Sequence, residues 1–77
     1  MTNTALLESI IAGSGLKKNY IAKVIGVTPE TLIRKIKNAS EFKASEIDKM
    51  CRLLAIDDPK TREAVFFDLR VDLQSTR

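Results

Sequence analysis

The chain has no histidine, no tryptophan, one tyrosine and a single cysteine, Cys51, among its 77 residues. Without histidine there is neither a zinc-finger pattern nor an imidazole for acid–base work, and a lone cysteine excludes an intrachain disulfide. No apolar run approaches the ~18 residues that read as a membrane span, and no basic stretch leads a long apolar one at the N-terminus. Neither insertion nor secretion is supported, so the expected location is the cytoplasm. The acidic residues show no paired spacing and no nucleophile stands with a base. An enzyme is therefore not expected, and no cofactor or metal is implied.

What is present fits one small module. Hydrophobic residues make up 44% of the chain, and with so few aromatics the core must be mainly aliphatic. A domain of this size lies near the lower limit at which burial alone holds a fold together. The net charge is only +3, but it is unevenly spread. From Leu16 to Lys43 seven basic residues (Lys17, Lys18, Lys23, Arg34, Lys35, Lys37, Lys43) face Glu30 and Glu41, giving +5, while the remainder has six basic against eight acidic, giving −2. A basic half on a slightly acidic domain is the electrostatic footprint of a phosphate-binding face.

That basic half contains the stretch around which the chain is organised, KKNYIAKVIGVTPETLIRKIKN from Lys17 to Asn38. It reads as two short helices joined at Gly26, an arrangement that can set its second helix into the DNA major groove. Ile21, Val24 and Ile25 are the apolar residues of the first helix, with Ala22 small enough for a second helix to cross closely. Gly26 can take a left-handed conformation without steric cost, Val27 turns back to the core, and Thr28 with Pro29 supply an N-cap and a first-turn proline.

In the second helix Leu32 and Ile36 share one face. At ~100° per residue, Glu30, Arg34 and Lys37 then fall on the opposite side, flanked by Thr31 and Ile33. Arg34 is suited to guanine O6 and N7, Glu30 to cytosine N4, and Ile33 or the Thr31 methyl to a thymine methyl.

Ala22, Gly26, Val27 and Leu32, with Thr28 opening the second helix, resemble the Cro and phage-repressor helix-turn-helix family, the lambda-repressor-like or Xre-type DNA-binding domains. The similarity covers roughly Leu6 to Phe67, and GVTPETLIRKIKN, EFKASEI and AVFF are similar to a subset of short phage-encoded repressor or Cro-like proteins. The resemblance implies a five-helix, all-α domain over residues 1–67. It also implies base-reading residues at Thr28, Glu30, Thr31 and Arg34, and phosphate contacts at Lys18, Asn19 and the loop after Ile36. Two departures stand out: the family usually has an apolar residue where this chain has Lys35, and a glycine near Asn38.

The flanking segments complete the expected domain. Met1 to Asn3 reads as loose, with Thr4 as N-cap of a first helix running to about Ala12 with Leu7, Ile10 and Ile11 inward, and Gly13, Ser14 and Gly15 stopping it. Leu16 then plugs the core. The helix that opens at Lys17 or Lys18 has positive side chains at its positive end and no Ser, Thr or Asp cap, which is unfavourable by roughly 0.3–1 kcal/mol per charge at low salt. A DNA phosphate received by the free N–H groups of Lys18 and Asn19, with Lys17 and Lys18 around it, would remove the conflict. Tyr20, one turn in, either adds a hydroxyl to that phosphate or packs.

After the second helix of the motif, a polar loop (NASEF) carries Phe42 as its apolar anchor, and Asn38, Ser40 and Lys43 are in reach of the same duplex backbone. A fourth helix is expected from about Ala44 to Ala55, with Ala44, Ile47, Met50 or Cys51, and Leu54 inward. It is capped either by Lys43 or by Ser45 with Asp48. Cys51 reads as a small buried hydrophobe. Asp58 caps a fifth helix that begins at Pro59 and ends near Phe66, placing Ala64, Val65 and one or both of Phe66 and Phe67 against the bundle.

From Phe67 the pattern changes to strict alternation, with Phe67, Leu69, Val71 and Leu73 apolar and Asp68, Arg70, Asp72 and Gln74 between them. Period two predicts an extended strand with one buried face, and a lone strand leaves its backbone unpaired. The tail at 68–77 is therefore a candidate dimerisation strand, pairing with a second copy and setting two motifs on a palindromic site. The alternative is a segment that lies along its own domain or is simply disordered.

Two functions are consistent with these residues. The first is a sequence-specific regulator that occludes a promoter by placing helix 28–37 on double-stranded operator DNA as a homodimer. The absence of a separate cleavable oligomerisation domain favours a Cro-like or short-repressor role. The second is an antirepressor, a protein-interaction module on the same scaffold whose partner is a phage repressor, kept open by the carboxylate of Glu30 amid the reading face.

Overall fold

The computed structural model describes residues 1–68, which are all helical in their regular structure, with five helices and no strand among them. The helices are α1 (Thr4–Ser14), α2 (Lys18–Ile25), α3 (Pro29–Ile36), α4 (Ala44–Leu53) and α5 (Pro59–Phe66). α2 packs against α3 and α4, and α1 packs against α3 and α5. Leu7, Ile21, Leu32, Ile36, Met50 and Val65 are wholly enclosed at their junction. Among the described residues no helix is long and apolar enough to cross a membrane.

Left-handed residues end four of the five helices, α1 at Gly15 among them. At the end of α2, Gly26 has φ 86° and donates to the Ala22 and Lys23 carbonyls, while Val27 N–H also reaches the Ala22 carbonyl at 2.9 Å. This is a Schellman termination, in which orphan carbonyls of the last turn accept from the residues beyond it. α3 ends the same way with Asn38 at φ 66°, where Asn38 N–H donates to Lys35 O at 3.2 Å and Ala39 N–H to Arg34 O at 2.8 Å. α4 uses Ala55 at φ 56°, with Ile56 N–H donating to Cys51 O at 2.8 Å. Asparagine tolerates this region because its short polar side chain bonds locally, whereas alanine has no such compensation.

Several helix starts match the sequence reading. Thr28 accepts from Thr31 N–H at 3.2 Å ahead of Pro29, and Asp58 accepts from both Thr61 N–H and the Thr61 hydroxyl at 2.9 Å ahead of Pro59. Those bonds hold the Asp58 carboxyl below its ordinary value. Lys43 precedes α4, and its N–H donates to Glu46 Oε1 at 2.9 Å, so the return half of a capping box comes from Glu46 rather than from Ser45 with Asp48.

The N-terminus differs from expectation. Asn3, not Thr4, caps α1, accepting from Leu6 N–H at 3.1 Å. The Thr4 hydroxyl instead donates to the Ile36 carbonyl at 2.6 Å, a C-terminal carbonyl of α3 that needs a donor. α1 runs through Gly13 and Ser14 and stops only at Gly15, φ 74°. Residues 1–3 are held rather than loose. Asn3 N–H donates to Val65 O at 2.7 Å, Asp68 N–H to Met1 O at 2.9 Å, and Thr2 is buried.

Burial corrects one apolar assignment, Ala44, and decides between Phe66 and Phe67. Ala44 is exposed, so the inward stripe of α4 is Ile47, Met50, Cys51 and Leu54. Cys51 is enclosed and its thiol is pushed up by burial, as suits a small hydrophobe. Phe66 is buried and meets Phe42 edge to face, ring centres 5.5 Å apart, whereas Phe67 is 50% exposed. Asp68 is buried and accepts from Asn3 Nδ2 at 2.9 Å, so within the monomer these two residues face opposite to the inward-Phe67, outward-Asp68 pattern read from the sequence. Leu69, Val71 and Leu73, and with them the expected strand, lie outside the described residues.

Candidate nucleic-acid interface

The turn from Gly26 to Thr28 is tight because the Schellman bonds of α2 are followed at once by the Thr28 cap of α3. α3 is anchored through Leu32 and Ile36, both essentially inaccessible to solvent. Glu30, Ile33, Arg34 and Lys37 are thereby turned out and exposed, and Thr31 is half-buried, while Lys35 stays on the buried side. Ile33, at 40% exposure, is a large apolar side chain open to solvent in the middle of a charged surface. Such a side chain gains by meeting an apolar group on a partner, and a thymine methyl is one such group.

The threonines at the start of α3 are constrained. Thr28 Oγ1 accepts from Thr31 N–H and its hydroxyl donates to Thr31 Oγ1 at 2.9 Å. This leaves the Thr31 hydroxyl as the more available donor of the two.

The phosphate candidates divide into two groups. Lys17, Asn19, Tyr20 and Lys43 are exposed, and Ser40 is half-buried; Lys37, expected to read bases, is also exposed but stands at the C-cap of α3, where the loop begins. Tyr20, at 51% exposure, is open rather than packed. Lys18 is an ion-pair partner, with Nζ 2.9 Å from Glu8 Oε1 and each side chain more than a third exposed. Glu8 thus supplies part of the negative charge that the start of α2 lacks, and the Lys18 ammonium reaches an added anion only in competition with it. The α2 N-cap, Lys17, makes no side-chain bond to the helix, so the N-terminal N–H groups keep their capacity for an acceptor.

Asn38 has a different role from that expected. Its side chain is occupied by the N-terminal segment, with Thr2 N–H donating to Oδ1 and Nδ2 donating to the Thr2 carbonyl, both at 2.8 Å. It is a structural clamp, and the loop's phosphate-facing capacity rests on Lys37, Ser40 and Lys43.

Lys35, counted with the basic half from sequence, is buried and neutralised. Its Nζ lies 2.5 Å from Glu46 Oε1, and both side chains are 8% exposed. Burial pushes the Glu46 carboxyl up, but the hydrogen bonds from Lys35 and the Lys43 N–H and the nearby ammonium charges outweigh it, so the group titrates below its ordinary value. The sequence reading missed Glu46, Glu8 and Thr2. The usable signal was Lys35 itself, a cation at a position turned toward α4, which requires an acid on the facing helix.

With Lys18 and Lys35 paired, Lys17, Lys23, Arg34, Lys37 and Lys43 remain as exposed cations of this half without an ion pair among the described residues. No group of three or more His, Cys, Asp or Glu side chains is placed to hold a metal among the described residues. No family model, curated protein or solved structure matches this chain.

Proposed function

We propose that this chain is a sequence-specific DNA-binding regulator of the phage Cro or repressor type, with a lambda-repressor-like fold, that occludes a promoter by setting α3 into the major groove. The observation that carries the proposal is the two-sidedness of α3: Leu32 and Ile36 are sealed in the core while Glu30, Ile33, Arg34 and Lys37 project from a helix fixed at both ends. Arg34 reads guanine through two parallel bonds, Glu30 accepts from a cytosine amino group, and Ile33 and Thr31 sense thymine methyls. Lys17, Lys37, Ser40 and Lys43, with the free N–H groups of α2, contact the backbone and fix the register.

A homodimer joined through the tail completes this reading, since two copies of α3 then address half-sites about one helical turn, ~34 Å, apart. The exposed Phe67, the last residue before the buried Asp68, supports an apolar contact at the point where the tail begins.

Glu30 and the exposed Ile33 also favour a second reading, an antirepressor whose α3 binds a repressor protein, because a carboxylate beside phosphates weakens binding unless a cytosine meets it. Selection of bound duplexes from a random pool distinguishes the two. A regulator enriches a palindromic motif containing guanine at the Arg34 position, and an antirepressor enriches none.

A further inference from the structure

Lys35 and Glu46 do not fit the logic of either a surface or an apolar core. Each side chain is 8% exposed, and one oxygen, Glu46 Oε1, accepts from both Lys35 Nζ and the Lys43 N–H, at 2.5 and 2.9 Å. A buried ion pair is commonly no more stabilising than apolar side chains of the same volume, so stability alone does not account for it. What distinguishes this pair is what it connects: the last turn of α3, the first turn of α4, and the final residue of the loop 37–43 between them.

We infer that Lys35 and Glu46 are positioning residues for DNA binding. They hold the loop so that Lys37, Ser40 and Lys43 meet the duplex backbone in register with the base-reading face of α3. The inference rests on the function proposed above and adds to it two residues that touch no DNA. The first half of the loop is already fixed, through Asn38 and its bonds to Thr2. Glu46 fixes the second half. Charge-assisted bonds to a single carboxylate oxygen leave little freedom in either direction, so the loop is ordered before DNA arrives and its ordering cost does not fall on the binding step.

The test is the double substitution Lys35→Met with Glu46→Gln in the full chain. It removes both charges together, leaves no lone buried ion, and replaces the charge-assisted bond to the Lys43 N–H by a weaker amide one. The variant is expected to melt cooperatively, to exchange its amide hydrogens faster over residues 37–43, and to bind every duplex more weakly by about tenfold. Its dependence on salt should be shallower and the base preference of the selected site unchanged. Binding equal to that of the unaltered chain with the same salt slope overturns the inference, as does a changed base preference. An unaltered chain that binds no duplex overturns the DNA-binding reading and the positioning role with it. Faster exchange over 37–43 in the variant would then still mark the pair as the strut of this loop, whereas unchanged exchange removes that as well.

Discussion

Thr2 and Asn38 bind each other reciprocally, N–H to Oδ1 and Nδ2 to carbonyl, both at 2.8 Å. Because Asn38 is also the left-handed residue that ends α3, these bonds tie the exit of the proposed reading helix to the first residues of the chain. Those residues are in turn bonded to Val65 and Asp68 at the end of α5. The outward face of α3 is thus supported from behind by its core residues and at its end by a clamp.

Asn38→Gly separates the two roles of this residue. Glycine relieves the left-handed backbone but leaves the N–H and carbonyl of the buried Thr2 without partners, at a cost of about 1–3 kcal/mol. The urea midpoint is expected to fall with the slope unchanged. A variant more stable than the parent would show that the clamp contributes nothing.

Ala55→Gly should do the reverse. Ala55 is exposed, adopts φ 56°, and its methyl group makes the left-handed conformation unfavourable by roughly 1–2 kcal/mol. Part of that gain is offset by the greater freedom of glycine in the unfolded chain, so a net stabilisation of about 0.5–1 kcal/mol is expected. Thermal unfolding is the check, and an unchanged or lower midpoint contradicts the assignment of strain to this residue.

Other turns and caps of the fold are legible in the sequence. Gly26, Thr28–Pro29 and Asp58–Pro59 act through local backbone chemistry, and each stands in the structure where its residue type alone puts it. The spacing of Leu32 and Ile36 likewise determines which side of α3 is buried. What could not be read depends on residues far apart in the chain. Asn3 and Thr4 are both capping residues, and the choice between them is made by the Ile36 carbonyl, which draws the Thr4 hydroxyl away. Asn38 looked like a loop residue open to phosphate because its partner lies 36 positions earlier. Lys35 looked like one more surface cation because Glu46 is brought to it only by the packing of the fold.

Acid titration addresses the Lys35–Glu46 pair. The folded Glu46 carboxyl titrates below its ordinary value of 4.5, so its contribution to stability is fully present above that pH and is lost as pH falls through the lower folded value. The stability difference between the parent and Lys35→Met/Glu46→Gln is therefore expected to be constant near neutrality and to shift against the parent below about pH 4.5. Unfolding followed across pH 3–7 measures it, at roughly 1.4 kcal/mol for each unit of pKa difference between the folded and unfolded states. A difference independent of pH would show that Glu46 is not held as a carboxylate by its partners.

Cations of the proposed interface should differ by whether they are paired. Lys43→Ala removes an exposed ammonium and keeps the backbone N–H that Glu46 accepts, so it should flatten the salt dependence of binding by about one unit. Lys18→Ala removes an ammonium already shared with Glu8 and should flatten it less. Equal effects would show that the Glu8 pair dissolves when DNA binds.

The central claim, that the exposed side of α3 reads DNA, is tested most directly by measuring the affinity of the chain and of Arg34→Ala for a duplex selected from a random pool, over a series of salt concentrations. The account predicts that log affinity falls linearly with log salt, by about 0.9 per phosphate contacted. It also predicts that Arg34→Ala weakens binding to the selected site by about 1–3 kcal/mol and relaxes preference at one base pair. No enriched sequence, or an affinity indifferent to both salt and Arg34, would contradict it.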